Sequence, residues 1–261
     1  MNFHLYETAV ESARGLITHL LDQMNQEPER VFNLAFSGGD AYALLFDIWG
    51  SEYADCTPWT RLRLFWVDEC CVPVSHSDSH YGMMYRLLLQ YVSDFEGCFF
   101  PIDGMAVPAE EAQHYAELVR RMVPAGPLGL PVFDAVFLAA EPDGSLSFIH
   151  AGEEYLLTSR HLFLHTDSPC SRHSRISMTG QLLGSARRLY FFMKGTAYQP
   201  LVHDIIQSGD TGPAVYAVHH GEEVELFLDQ WAGASELCMT KFSGCQERAE
   251  LDKKTSPSNV R

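Results

Sequence analysis

Residues 133–152 read FDAVFLAAEPDGSLSFIHAG. Ala135 to Ala139 is an unbroken apolar run that passes into Glu141-Pro142-Asp143-Gly144. A short apolar stretch closed by turn residues is the pattern of a strand buried on both faces, ending in a tight turn at the edge of its sheet. In an open parallel sheet, ligands sit in the crevice beyond the carboxyl ends of such strands, so this turn is the first place to look for chemistry. Directly after Asp143-Gly144 stands Ser145.

Outward from that strand the same grammar recurs. Val31 to Phe36 reads as a short strand running into Ser37-Gly38-Gly39, with a helix predicted over Ala41 to Trp49. A strand, a glycine pair and a helix N-terminus aim backbone N–H groups at whatever binds there, an arrangement suited to phosphate. Asp40 counts against phosphate: a carboxylate caps a first turn well, yet at 4 to 5 Å from a phosphate it costs about 1–4 kcal/mol. Arg63 to Val67 is the next buried strand and ends at Asp68-Glu69-Cys70-Cys71. Ser77-Asp78-Ser79 then caps a helix over the apolar-periodic MMYRLLLQYV, with His80 in the loop before it.

Elsewhere, apolar residues from Leu5 to Met24 follow a period near 3.6 and predict an opening helix, and Glu110 to Met122 predicts another whose acidic start and basic end suit its dipole. Arg188 to Met193 is a strand, Gly195 to Ile206 a turn and helix, and Pro213 to Val218 with Glu223 to Leu228 read as two closing strands. Strands alternating with helices, with no repeat or linker between them, predict one α/β domain over residues 1–238 built on a mainly parallel sheet. Residues 239–261 are polar and predict a mobile tail.

Composition narrows the function. A net charge of −16 disfavours nucleic acid, whose phosphates need a basic face, and makes any small anion costly to bind unless cations gather locally. No window approaches 18 apolar residues and the N-terminal stretch lacks a basic segment followed by an apolar one, so neither a membrane span nor a signal peptide is expected, and a cytoplasmic location is. Seven cysteines, odd in number and without a CxxC pair, read as reduced thiols. Twelve histidines form no HExxH motif, and no metal or other cofactor is expected.

Several stretches then fall into register: SGG at 37–39, WVDE at 66–69, SDSxYGM at 77–83, FDxVxLxxxPDG at 133–144, DSP and RIS within 167–177, KG at 194–195 and GPA at 212–214. In this order and spacing the chain resembles the 6-phosphogluconolactonases, relatives of the glucosamine-6-phosphate deaminases, from about residue 5 to 238. The resemblance implies a modified Rossmann-like three-layer α/β fold and cofactor-free hydrolysis of 6-phosphogluconolactone to 6-phosphogluconate in the pentose phosphate pathway. Lactone opening by water needs a general base, stabilisation of the oxyanion and a cationic cradle for the phosphate.

The departures from the family pattern concentrate at that chemistry. Ser145 stands where the resemblance implies the basic histidine after Asp-Gly. Cys70 replaces an arginine, His80 an asparagine, Cys170 a lysine, Tyr198 a second lysine, and Asp40 a serine or threonine. Of the matched cations Arg175 remains, with Arg172 nearby as a substitute. The catalytic candidates are therefore Asp143, Ser145, Asp68 and, as a surrogate base, His80; His150 reads as a packed or exposed histidine. The substrate-binding candidates are Ser37, Gly38, Gly39, Asp40, Glu69, Cys70, Arg172, Arg175 and Tyr198. Three readings stay open: a 6-phosphogluconolactonase with impaired activity, a non-catalytic relative binding another small ligand or a protein partner, and a glucosamine-6-phosphate deaminase-like enzyme.

Overall fold

The computed structural model describes residues 1–92, 98–147, 149–167, 172–207 and 212–233. β1 (Asn2–Tyr6) precedes α1 (Ala9–Gln26), and β2 (Phe32–Phe36) leads into α2 (Asp40–Ile48). β3 (Leu62–Trp66), the short β4 (Asp68–Cys70), α3 (His80–Leu87), β5 (Phe99–Phe100), α4 (Pro108–Met122) and β6 (Ala135–Leu138) follow. Next come α5 (Tyr155–Thr158), β7 (Phe163–Thr166), β8 (Arg175–Met178), α6 (Gly180–Leu183) and β9 (Arg188–Met193). α7 (Gln199–Gln207), α8 (Gly212–His220) and β10 (Glu223–Asp229) close the described chain.

Seven strands form a parallel sheet in the order β1-β10-β9-β6-β2-β3-β5. Every residue of β2 and β6 is buried, so helices and loops cover the sheet on both faces, as expected for parallel strands. Large rings stack from strand to strand: Phe36 on Phe137 at 4.2 Å between centroids, Phe137 on Tyr190 at 4.8 Å, and His4 on Phe227 at 4.3 Å. Each such pair adds about 0.5–1.5 kcal/mol to the burial of its area. One continuous core reaches from Ala13 in α1 to Ala232 beyond β10. A second, antiparallel sheet of β4, β8 and β7 sits beside it, with Cys70 paired to Arg175 and Asp68 to Ser177.

From β2 the chain proceeds to β3 and β5 on one side, whereas β6 and β9 lie on the other. This places the topological switch between β2 and β6, and the crevice beyond their carboxyl ends is framed by the turns at 37–39 and 139–145. Tyr42 of α2 closes the floor, donating from its hydroxyl to the Leu138 carbonyl at 3.0 Å.

Two elements differ from the sequence expectation. The opening segment is a strand and then a helix: Thr8 caps α1 reciprocally with Glu11 (Glu11 N to Thr8 Oγ1 3.2 Å, Thr8 N to Glu11 Oε2 3.1 Å), which starts the helix at Ala9 and frees Asn2–Tyr6 to pair with β10. Residues 213–218 form part of the helix α8 rather than a strand. A six-residue apolar run carries no decisive period, and here it is settled by docking: Ala214 N donates to the Gly144 carbonyl at 3.0 Å, fastening α8 to the opening turn. The tail expected from residue 239 lies outside the described residues. Among those described, no helix is long and apolar enough to cross a membrane.

Candidate functional site

The two loops that frame the crevice are tied to each other. Ser37, buried at the end of β2, donates its amide to the Phe137 carbonyl at 2.9 Å, and its hydroxyl meets that of Ser147 at 2.6 Å. Ser147 holds a left-handed φ of 44° and donates its amide to the Ala139 carbonyl at 2.7 Å. A non-glycine residue in that region is uncommon and is held here by this loop-to-loop clasp. Nothing in the spacing of the sequence marks Ser147.

The turn after β6 closes on itself. Gly144, with φ of 84°, allows Glu141 and Ser145 to approach (Glu141 N to Ser145 O 3.0 Å), and Asp143 accepts both the amide of Ser145 at 3.0 Å and its hydroxyl at 2.6 Å. Those two bonds hold the Asp143 carboxyl below the ordinary carboxylate range. Ser145 is 3 % exposed, and its proton is committed to a carboxylate. As placed, this pair is an Asx turn, with the hydroxyl a donor and not a base. His150 is not on a helix; it is half-buried and near enough to Asp143 to add slightly to the lowering of its pKa.

The second group lies beyond β3. Asp68 is completely buried, and His80, 6 % exposed, approaches it with Nδ1 at 3.0 Å from the Asp68 carbonyl and 3.3 Å from Oδ2. Both partners are acceptors, which assigns the proton to Nδ1 and makes Nε2 the basic nitrogen. Burial opposes the charged imidazole, but the Asp68 carboxylate, with Glu69 beyond it, outweighs burial and raises the pKa of His80. The ring rests on Gly38, so the turn after β2 and the start of α3 meet at this histidine. His80 is the first residue of α3 rather than a loop residue, and Ser79 is the cap, its hydroxyl accepting the Gly82 amide at 2.9 Å.

Glu69 is occupied by the fold. Its carboxylate accepts the amides of Cys70 at 2.9 Å, His80 at 2.8 Å and Tyr81 at 2.8 Å, which satisfies the N-terminus of α3 from a strand. Burial nevertheless raises its pKa. Cys70 is buried opposite Arg175, and burial pushes its thiol up to about 12; Cys71 is pushed to about 11 for the same reason. These thiols are small packing groups and not nucleophiles at neutral pH. Arg172 is exposed and Arg175 half-buried, while Cys170 lies outside the described residues.

The third group covers the glycine turn. Gly39, with φ of 98°, precedes α2, and Asp40, exposed, opens the helix. Glu141 Oε1 lies 3.9 Å from where a Cβ on Gly39 would stand, so a carboxylate sits over the turn that the sequence marks as suited to phosphate. Partial burial raises the pKa of Glu141, and Asp143 and Asp40 add to it. The Tyr198 hydroxyl is pushed up to about 12 by burial, then by Glu141 and Asp40. Glu141 is absent from the sequence-derived candidates; its place beside Pro142-Asp143 marks it only once the turn is folded.

A cavity of about 800 Å3 opens at the edge of the sheet opposite the crevice, where Arg30 and Arg187 converge on Asp134. Its arginines are matched by carboxylates, Arg30 also to Glu27 at 2.7 Å and Arg188 to Glu223 at 2.6 Å, so it offers no net positive site. The fold also assembles His76, Asp78 and His173 from two distant segments, a grouping invisible to motif spacing.

Comparison with known proteins agrees with this architecture. Residues 6–226 match the family described as glucosamine-6-phosphate isomerases/6-phosphogluconolactonase. The chain is 26% identical over 205 residues to the 6-phosphogluconolactonase of Treponema pallidum, covering 78% of this chain and 84% of that protein. It is similar to the crystal structure of devB protein with a TM-score of 0.81 and 26% identity, over 88% of this chain and 97% of the other. At the level of fold it also matches the 6-phosphogluconolactonase of Trypanosoma brucei, with a TM-score of 0.76 and 20% identity over 88% and 97% of the two chains.

Proposed function

This chain belongs to the family of glucosamine-6-phosphate isomerases and 6-phosphogluconolactonases, and on that footing we propose that it is a 6-phosphogluconolactonase-type hydrolase with impaired chemistry. The reaction is the opening of 6-phosphogluconolactone by water to 6-phosphogluconate, a cytoplasmic step of the pentose phosphate pathway. The observation that carries this reading is the Asp68–His80 pair at the crevice, with Nδ1 of the histidine 3.3 Å from a fully buried carboxylate.

In this reading His80 Nε2 takes a proton from water as its oxygen adds to the lactone carbonyl, and on collapse of the tetrahedral adduct the ring C–O bond breaks and the leaving oxygen takes that proton back from the imidazolium to become the alcohol. Asp68 holds the imidazole in one tautomer and stabilises its charged form. Arg175 is the remaining matched cation for the phosphate. With Ser145 bound to Asp143, Cys70 buried as a thiol and Tyr198 among carboxylates, the rate falls well below that of an enzyme carrying the usual base and cations; loss of a general base alone costs roughly 10²–10⁴.

A second reading, a non-catalytic relative, is favoured by one observation, the Glu141 carboxylate over Gly39 beside Asp40. Two like charges at a phosphate turn suit a neutral ligand better than a sugar phosphate. The deciding measurement is hydrolysis of freshly prepared 6-phosphogluconolactone against its spontaneous opening. A rate above buffer that is abolished by His80→Asn supports the first reading, and a rate equal to buffer removes it in favour of the second.

A further inference from the structure

We infer that His76, Asp78 and His173 form a binding site for a divalent transition-metal ion of the zinc type, bridging the segment that precedes α3 and the segment that precedes β8. One ligand atom from each residue falls within 4.8 Å of the others. His173 Nε2 is 3.2 Å from Asp78 Oδ2, and His76 Nδ1 is 4.0 Å from the same oxygen. With bonds of about 2.0–2.2 Å, ligand atoms around tetrahedral zinc stand roughly 3.3–3.5 Å apart, so these separations bracket the spacing a metal requires.

The frame behind the side chains is already built. Residues 73–79 form hydrogen-bonded turns, His76 N to Pro73 O at 2.8 Å and Ser79 N to His76 O at 3.2 Å. The partner segment is fastened to it by the β4–β8 pairing and by Cys71 N to Ser174 O at 2.8 Å. The distance between the two segments is therefore set by backbone bonds next to the cluster, not by the side chains themselves. The two imidazoles meet edge to face with centroids 5.1 Å apart.

The donor chemistry selects the ion. His76 Nδ1 accepts the Asp78 amide at 3.1 Å, so the hydrogen of this tautomer sits on Nε2 and Nδ1 is a donor atom that a metal would take over from that bond. The Ser77 hydroxyl, at 3.1 Å from Asp78 Oδ1, engages one carboxylate oxygen and leaves Oδ2 toward the two imidazoles. Two imidazoles and one carboxylate suit Zn²⁺, Co²⁺ or Ni²⁺; Mg²⁺ and Ca²⁺ prefer all-oxygen sets. The three side chains are 30–41% exposed, which leaves solvent the remaining coordination position. Asp78 is two residues from His80 and His173 two from Arg175, so an ion here fastens together the segments that carry those two residues.

The inference is independent of lactone hydrolysis and is tested without it. The full chain, stripped with a chelator, is titrated with ZnSO₄ and CoCl₂ by calorimetry, with MgCl₂ as control, and the Co²⁺ absorption spectrum is recorded. Expected are one ion per chain, a spectrum of nitrogen and oxygen ligation, no Mg²⁺ binding, and a loss of affinity of at least about tenfold in His173→Ala and in Asp78→Asn. The partly exposed side chains make both variants compatible with folding, checked by circular dichroism; His114→Ala, remote from the cluster, should bind as the parent does. Absence of stoichiometric binding, binding indifferent to the His76→Ala/His173→Ala pair, or a thiolate signature on cobalt overturns the inference.

Discussion

A Cβ built on Gly38 falls 2.2 Å from both Cγ and Cδ2 of His80, so the imidazole lies directly on the backbone of the glycine turn. The turn after β2 and the first residue of α3 are thus one packed unit, and residue 38 can carry no side chain without moving the ring. Gly38→Ala should cost about 1–3 kcal/mol, a fall of roughly 2–12 °C in melting temperature, measurable by thermal denaturation. An unchanged melting temperature would mean that His80 moves aside freely.

His80→Asn separates the chemical role from the packing role. If His80 is the base, this substitution lowers hydrolysis of 6-phosphogluconolactone to the spontaneous rate, a drop of about 10²-fold or more in the catalysed part, while the fold survives. Wild-type activity should rise with pH through the raised pKa of His80, since the base must be neutral to act. A profile flat over the histidine range removes His80 from the mechanism.

The same pair has a signature in stability. The folded-state pKa of His80 is raised above the unfolded value, so the folded form binds the proton more tightly. Its contribution is fully present below the unfolded pKa of about 6.5 and is lost as pH rises through the folded value. The stability advantage of the wild type over His80→Asn, read from urea melts, should therefore shrink as the pH is raised across that window. An advantage that grows with pH contradicts the assignment of Asp68 as the partner that holds the charge.

Glu69 tests whether a residue of the WVDE stretch is there for folding. Its carboxylate satisfies three backbone amides, two at the start of α3 (His80 and Tyr81) and that of Cys70 in β4. Glu69→Ala leaves them in a buried site, and at about 1–3 kcal/mol for each unsatisfied group the protein should lose about 3 kcal/mol or more. Glu69→Gln, which keeps an acceptor oxygen, should lose less. Chemical denaturation of the three proteins ranks them.

The crevice can also be rebuilt. Asp40→Ser with Glu141→Gln removes two carboxylates from the glycine turn and should raise affinity for 6-phosphogluconate by about tenfold or more, seen as a larger ligand-induced thermal shift. Ser145→His with Cys70→Arg restores a base and a cation. The rate should rise by about 10²-fold or more if the crevice is only stripped of its groups. No gain in a folded double variant would mean that the turn held by Ser145 and Asp143 cannot present a histidine.

Much of this protein is legible in its sequence because the signals are local. The apolar run at 135–139 and the glycine pair at 38–39 act within a few residues, and the strands they delimit must be buried on both faces. The substitutions at Ser145, Cys70 and Tyr198 are equally readable, since they stand within motifs whose register survives. Residues 213–218 and the opening strand are not, because a short apolar run takes the structure that its neighbours in space give it.

What the chain determined by itself was the α/β class, the family and the candidate residues of its crevice. What only the tertiary structure decided was which surviving groups meet. Asp68 and His80 stand at the ends of different elements, Glu141 reaches Gly39 across the gap between two strands, and His173 joins His76 and Asp78 from a different part of the chain. Pairings of this kind depend on strand order and on the closure of backbone turns, quantities that no local spacing encodes, and they set charge, tautomer and reach.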